Sequence, residues 1–243
     1  MIPLLKKEIN SFLFSLIGYI VIIVFLVVNG LFLWLLQEDT NILEAGYATL
    51  APMFGIAPWV FLFLIPAITM RSFADEKKSG TIEMLMTKPL TDLQIILAKY
   101  FAGLLLVLFS LIPTLIYYYT VYTLADPVGN IDNGGTWGSY IGLLFLGSSF
   151  VAIGIFTSSI TENQIVAFIL SVFLCFFCYY GFESLSTMPV FSSIDRTIQQ
   201  LGIDAHYNSL SRGVIDTRDV LYFGCFSALF LTLTKVILES RKW

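Results

Sequence analysis

The chain has 243 residues, of which 57% are hydrophobic and only 12% charged, with a formal net charge of -4. A soluble domain carries about 25% charged residues, so a single aqueous core cannot hide this apolar content and a lipid bilayer must be the second solvent. The acidic balance lacks the basic face that nucleic acid requires, which sets DNA and RNA aside as partners.

At the start, Ile2, Leu5, Ile9 and Phe12 recur at helical spacing, with Lys6, Lys7 and Glu8 on the other side. This pattern predicts a short amphipathic helix lying in the membrane interface. No ionisable residue then occurs from Ile9 to Gln37, and no small-residue cleavage site follows. The run is longer than a signal-peptide core, so it is expected to be retained as the first span, residues 12–36. Asn29 is the deepest amide in it, and an interhelical hydrogen bond is expected there.

Further uncharged runs predict spans at 50–70, 100–124, 137–160, 164–183 and 219–238, the last extended by a snorkelling Lys235. Unsatisfied backbone groups are too costly in hydrocarbon for these runs to be anything but helices, and none alternates like a barrel strand. The expected fold is an all-α integral membrane protein, a single transmembrane domain over 1–243 with six spans. Pro52, Pro58 and Pro66 in span two and Pro113 in span three predict kinks. Ten of the thirteen Lys and Arg residues fall in 6–7, 71–99 and 235–242, against Arg196, Arg212 and Arg218 on the other side. Positive charge marks the cytoplasmic side, so both termini are expected there.

Between spans two and three, Gly80 is placed to break one helix and Thr81 to cap the next, with Glu83 in its first turn. Ile82, Leu85 and Met86 form one apolar face, Pro89 stops the helix, and Thr91-x-x-Gln94 is a capping box that starts another running into span three. The result is a helical hairpin with an apolar tip, suited to a groove on a partner protein or to the membrane surface. Span four carries Gly138-x-x-x-Gly142, Gly147, Ser148, Ser149, Ala152 and Gly154. Small residues allow close helix approach, either to another subunit or within the chain. In the outer segment 184–218, Ile194, Ile198 and Leu201 at i, i+4, i+7 predict an amphipathic helix stopped by Gly202. An Arg212-Gly213 turn follows it. The segment reads as a lid, a re-entrant element or a surface hairpin.

Several chemistries find no residues to carry them. No Gly-Lys dipeptide occurs, so there is no Walker A loop. His206 is the sole histidine and reads as a surface residue, and Cys175-x-x-Cys178 lacks the second ligand pair a metal site needs. No G-x-S-x-G is present. The spans hold almost no ionisable residues for ion coupling. Neither a catalytic residue nor a bound cofactor is expected in this chain, and energy for transport would have to come from a partner.

The stretch Glu76-Lys-Lys-Ser-Gly-Thr-Ile-Glu-Met-Leu-Met-Thr-Lys-Pro-Leu resembles the signature loop of ABC type-2 exporter permeases, matching at Gly80, Thr81, Glu83, Leu85 and Pro89. Lys7-Glu8 followed by Phe12, Gly18 and Tyr19 resembles the family's N-terminal elbow. Leu210 to Phe223, with the ending Leu238-Glu-Ser-Arg-Lys-Trp, is similar to the subgroup containing the gliding-motility-associated permease, near relatives that serve copper-enzyme maturation. The likeness covers nearly the whole chain. It departs in lacking a proline often found after the elbow serine, and in ending Arg-Lys-Trp rather than Arg-Arg-Trp.

The resemblance implies a permease subunit of an ATP-driven exporter in a bacterial inner membrane, with a gliding or surface-secretion role. In the family the loop is a coupling helix, here Gly80, Thr81, Ile82, Glu83, Met84, Leu85 and Pro89, docked on a cytoplasmic ABC ATPase that binds ATP and Mg. A second permease subunit, identical or different, would complete the membrane part. The competing expectation is a non-transporting scaffold or mechanotransmission subunit that recruits an ATPase.

Overall fold

Local capping chemistry decides where several of the helices start. In the computed structural model, which describes residues 2–36, 40–86, 90–189 and 194–240, helix α1 (Ile2–Leu13) turns into α2 (Leu16–Trp34) at Ser15. The Ser15 hydroxyl accepts from Gly18 N at 3.2 Å and donates to the Phe12 carbonyl at 2.9 Å. Asn41 caps the single turn α3 (Ile42–Ala45), and Pro52 sits in the first turn of α4 (Ala51–Thr69), where its missing N–H costs nothing. Pro58 and Pro66 lie inside α4. The helix breaks four residues past Pro66, at Met70, and resumes as α5 (Arg71–Lys78).

Gly80 at φ +69° then turns the chain into α6 (Thr81–Met86). A reciprocal capping box starts α7 (Asp92–Leu111): Gln94 N donates to the Thr91 hydroxyl and Thr91 N to Gln94 Oε1, both at 3.3 Å. A 3₁₀ turn holding Pro113 separates α7 from α8 (Leu115–Leu124). Asp132 caps the long α9 (Asn133–Ile160), and Asn163 caps α10 (Gln164–Phe176). The latter continues through a π-turn (Phe177–Gly181) into α11 (Phe182–Ser186). After α12 (Asp195–Gln199) and α13 (Ile203–Leu210), Asp216 caps α14 (Thr217–Glu239).

Among the described residues the fold is all helical, and six helical stretches are long and apolar enough to cross a membrane: Leu16–Trp34, Ala51–Lys78, Asp92–Leu124, Asn133–Ile160, Gln164–Ser186 and Thr217–Glu239. Helix α9 is the hub. It packs on α4, α5, α7, α10, α13 and α14, and its small residues serve those contacts. Any side chain at Gly138 would strike the Leu210 carbonyl and Gly213, and one at Gly154 would strike Thr69. At Gly147 a Cβ would lie 2.7 Å from Val107. The glycines are therefore spent on close packing within the chain.

Three sequence expectations shift. Helix α1 buries Leu4 and Glu8 while leaving Ile2 exposed, so Glu8 belongs to the inward face and not to the polar one. Asn29 donates to the Phe25 carbonyl of its own helix at 2.8 Å instead of crossing to a neighbour, and its Oδ1 is left without a partner among the described residues. Beyond span five the amphipathic stripe lies one helix later than the spacing implied. Ile194 and Leu201 are exposed, whereas Ile203, Tyr207 and Leu210 carry the burial at the same i, i+4, i+7 spacing on α13. Gly202 begins that helix as its N-cap residue.

His206 is no idle surface residue. Its Nδ1 lies 2.6 Å from Asp219 Oδ1 and its Nε2 2.9 Å from the Gln200 carbonyl, and the ring stacks on Tyr222. The ring thereby ties α12, α13 and α14 together. On the same helix as His206, burial pushes the Asp204 carboxyl above the ordinary carboxylate range, and the Glu183 charge adds to the shift. Burial likewise raises the Tyr207 phenol, which donates to the Phe54 carbonyl at 2.7 Å.

A raised carboxyl favours the protonated form in the folded state. Its stabilising effect is full below the unfolded value and is lost as pH rises through the folded one. Thermal unfolding followed against pH should therefore show wild type gaining stability on acidification through that range. Asp204→Asn should lack this gain, and an identical profile in the two proteins would remove Asp204 as its source.

Candidate functional site

The residues singled out by sequence surround α5 and α6, at the end of the bundle that also carries α1. Gly80 is exposed, with open space where a side chain would be, and its left-handed backbone explains the residue type. Thr81 opens α6 and turns its hydroxyl back to Ser79 Oγ at 2.9 Å and the Glu76 carbonyl at 3.4 Å. Glu83 is exposed on α6. Ile82 differs from expectation: it is buried in this chain's own core and does not contribute to an exposed apolar tip. The side chains of Met84 and Leu85 lie outside the described residues, and so does Pro89.

What sequence reasoning missed is how firmly α5 is held, on two sides. On the first, the Ser158 hydroxyl near the end of α9 accepts from Phe73 N at 2.9 Å and Ala74 N at 3.1 Å, and donates to the Met70 carbonyl at 2.9 Å. One buried side chain thus satisfies backbone groups on both sides of the α4–α5 break, groups that a helix start leaves orphaned. Lys77 donates from Nζ to the Ser159 carbonyl, and Gln164 Nε2 at the start of α10 donates to Asp75 Oδ1. The α9–α10 corner and α5 are therefore one hydrogen-bonded unit.

On the second side, Lys99 of α7 stands between two carboxylates. Its Nζ is 3.0 Å from Glu76 Oε1 on α5 and 3.3 Å from Glu8 Oε1 on α1, and it lies 5.0 Å from the centre of the Phe73 ring. Only 2% of the Lys99 side chain is exposed, against 10% for Glu8 and 15% for Glu76. Such charges are costly to bury and persist because each meets an opposite one. Lys7, mostly exposed, adds looser contacts of 3.7 Å to Glu8 and 3.9 Å to Glu76.

A signal for Lys99 was present in the sequence. It sits among Ile95, Ile96, Ala98 and Ala102, all buried, and a lone cation on an apolar helix face calls for a partner. Which partner could not be read locally, since Glu8 is 91 residues away.

This arrangement makes α5 a crosspiece. It is bonded to α9 and α10 through Ser158, Ser159 and Gln164, and to α7 and α1 through Lys99. No group of three or more His, Cys, Asp or Glu residues suited to a metal occurs among the described residues.

Comparison with known proteins agrees with this architecture. The family model described as ABC-2 family transporter protein matches residues 37–202, well over half of the chain, from the end of the first span into the outer segment. No curated protein sequence matches the chain. The match takes in α3 to α12, and so both the crosspiece and the hub that it grips. With six apolar helices of spanning length and this match, the chain belongs to the ABC-2 transporter family as a multi-pass membrane protein.

Proposed function

We propose that this protein is the permease subunit of an ATP-driven exporter, with the α5–α6 end in the cytoplasm of a bacterial cell and a separate ABC ATPase docked on residues 80–89. The observation that carries the reading is the double anchoring of α5. A loop meant only to recruit a partner needs no buried bonds to the spans, whereas a loop that transmits force does. ATP and Mg would sit in the ATPase. This chain's part is to receive the displacement at α6 and distribute it. Because α5 is bonded to the α9–α10 corner and, through Lys99, to α7 and α1, the displacement moves several spans together and can switch the side to which a path is open. A second permease, identical or different, would form the other wall of that path. The sequence likeness at 210–223 and 238–243 supports a role in gliding motility or surface secretion.

The test is co-purification with the ATPase and reconstitution, combined with Glu83→Lys and Leu85→Asp. These changes reverse one charge and add another within the proposed docking segment without touching the anchors of α5. Stimulated ATP hydrolysis should be lost while insertion and the thermal stability of the permease stay unchanged. Persisting stimulation would refute docking through 80–89. ATPase binding without any stimulation in the wild type would point instead to a recruiting scaffold.

A further inference from the structure

A cavity of about 210 Å³ opens between α1, α5 and the adjoining ends of α2, α4 and α7. Its ionisable lining is balanced, with Lys7, Arg71 and Lys99 facing Glu8, Asp75 and Glu76. The rest of the wall is of two kinds. Ser11, Ser15 and Ser72 supply hydroxyls, and Phe12, Ile17 and Ile68 supply apolar surface where the first two spans end. A balanced lining with both signs disfavours a plain anion or a plain cation and suits a ligand that carries both charges.

The individual charges are unequally engaged. Lys99 is fully occupied by Glu8 and Glu76. Lys7 is 62% exposed and held only at long range, and Arg71 is exposed with no ion pair among the described residues. These two are free to meet a phosphate, Arg71 in two-pronged fashion. On the acidic side, Glu76 uses Oε1 for Lys99, while its Oε2 is buried and has no hydrogen-bond partner among the described residues. Asp75, half-buried, accepts from Gln164 through Oδ1, with no other side-chain partner among the described residues. A charged N–H donor from a ligand would meet the Asp75 carboxylate, with the Glu76 charge beside it. A quaternary ammonium has no N–H to offer.

We propose that this cavity binds the headgroup of a phospholipid bearing a primary amine, a phosphatidylethanolamine, with the phosphate at Arg71 and Lys7, the ammonium at the Asp75 carboxylate beside Glu76, and the acyl chains leaving along Phe12, Ile17 and Ile68. The lipid then packs between α1 and the crosspiece α5. The inference rests on the chain lying in a bilayer and not on coupling to an ATPase, and its readout involves no ATP hydrolysis, so the two can fail separately.

The experiment places the purified protein in nanodiscs of mixed phosphatidylethanolamine, its N-monomethyl, N,N-dimethyl and trimethyl (choline) relatives, and phosphatidylglycerol. Native mass spectrometry then counts the lipid retained after release from the disc. Retention of the primary amine over the trimethyl headgroup should be roughly tenfold or more, the scale of a lost hydrogen bond to a charged group. It should fall stepwise as methyl groups replace N–H donors. Arg71→Gln, at an exposed position, should lower retention without disturbing the fold. Soluble glycerophosphoethanolamine distinguishes a lipid from a free headgroup: the lipid is the ligand if millimolar amounts fail to displace it, and displacement would show that the chains contribute nothing. Equal retention of all the amines, preference for phosphatidylglycerol, or no retained lipid would each overturn the proposal.

Discussion

Replacing Lys99 with methionine is expected to destabilise the protein by about 3–5 kcal/mol, the usual cost of removing one partner from a buried ion pair. The side chains fit each other closely enough in volume that the loss is not one of packing. It arises because Glu8 and Glu76 remain, 90% and 85% shielded from solvent by their side-chain exposures of 10% and 15%, with no cation between them. Lys7 cannot take over, since it is mostly exposed and its nearest approaches are 3.7 and 3.9 Å. Lys99→Arg should retain most of the stability. The triple variant Lys99→Met, Glu8→Gln, Glu76→Gln should recover a large part of it, because an uncharged cluster carries no unpaired charge. Thermal or denaturant unfolding of the purified protein measures all three. If Lys99→Met lies within about 1 kcal/mol of wild type, the cluster is not the fastening described here. If the triple variant is as unstable as the single one, unpaired charge is not the cause.

What was legible in the sequence was whatever depends on neighbours. Thr91 and Gln94 identify a helix start because both halves of the capping box lie within four residues. Gly80 identifies a turn because its conformation is its own affair. The number of apolar stretches followed from charge-free length, which no tertiary contact alters. The helix expected at 194–201 is present as α12, but its buried face was misplaced for the opposite reason. Its spacing was right for an amphipathic face, but burial is decided by what the helix meets, and α9 meets α13 instead. Glu8 was assigned to a polar face for want of Lys99, and His206 to the surface for want of Asp219. The last two errors each concern a charged or polar residue whose partner lies elsewhere in the sequence. The candidate site divides along the same line: its hinge and helix start were readable, and its anchors were not.

On the proposed coupling role, the anchor that would separate transmission from mere attachment is Ser158, and Ser158→Ala is the change expected to expose the difference. Its hydroxyl accepts from two N–H groups of α5 and donates to the Met70 carbonyl, and all of this takes place in a buried setting. Alanine fills nearly the same volume, so packing changes little, yet two donors and one acceptor lose their partner at once. At about 1–3 kcal/mol for a buried group left unsatisfied, and with partial relaxation, a loss of roughly 3 kcal/mol is expected. The damage should be local. Hydrogen exchange should quicken over 70–78, while the core of α9, held by close contacts at Gly147 and Gly154, stays protected. In the reconstituted complex the ATPase should still bind, since residues 80–89 are untouched, but stimulation of hydrolysis should drop, because α6 would then push against a crosspiece no longer bonded to α9. Ser158→Thr, which retains the hydroxyl, should restore part of the stimulation. A Ser158→Ala protein with exchange confined as described and full stimulation would show that force reaches the spans by another route, leaving the Lys99 cluster as the remaining connection.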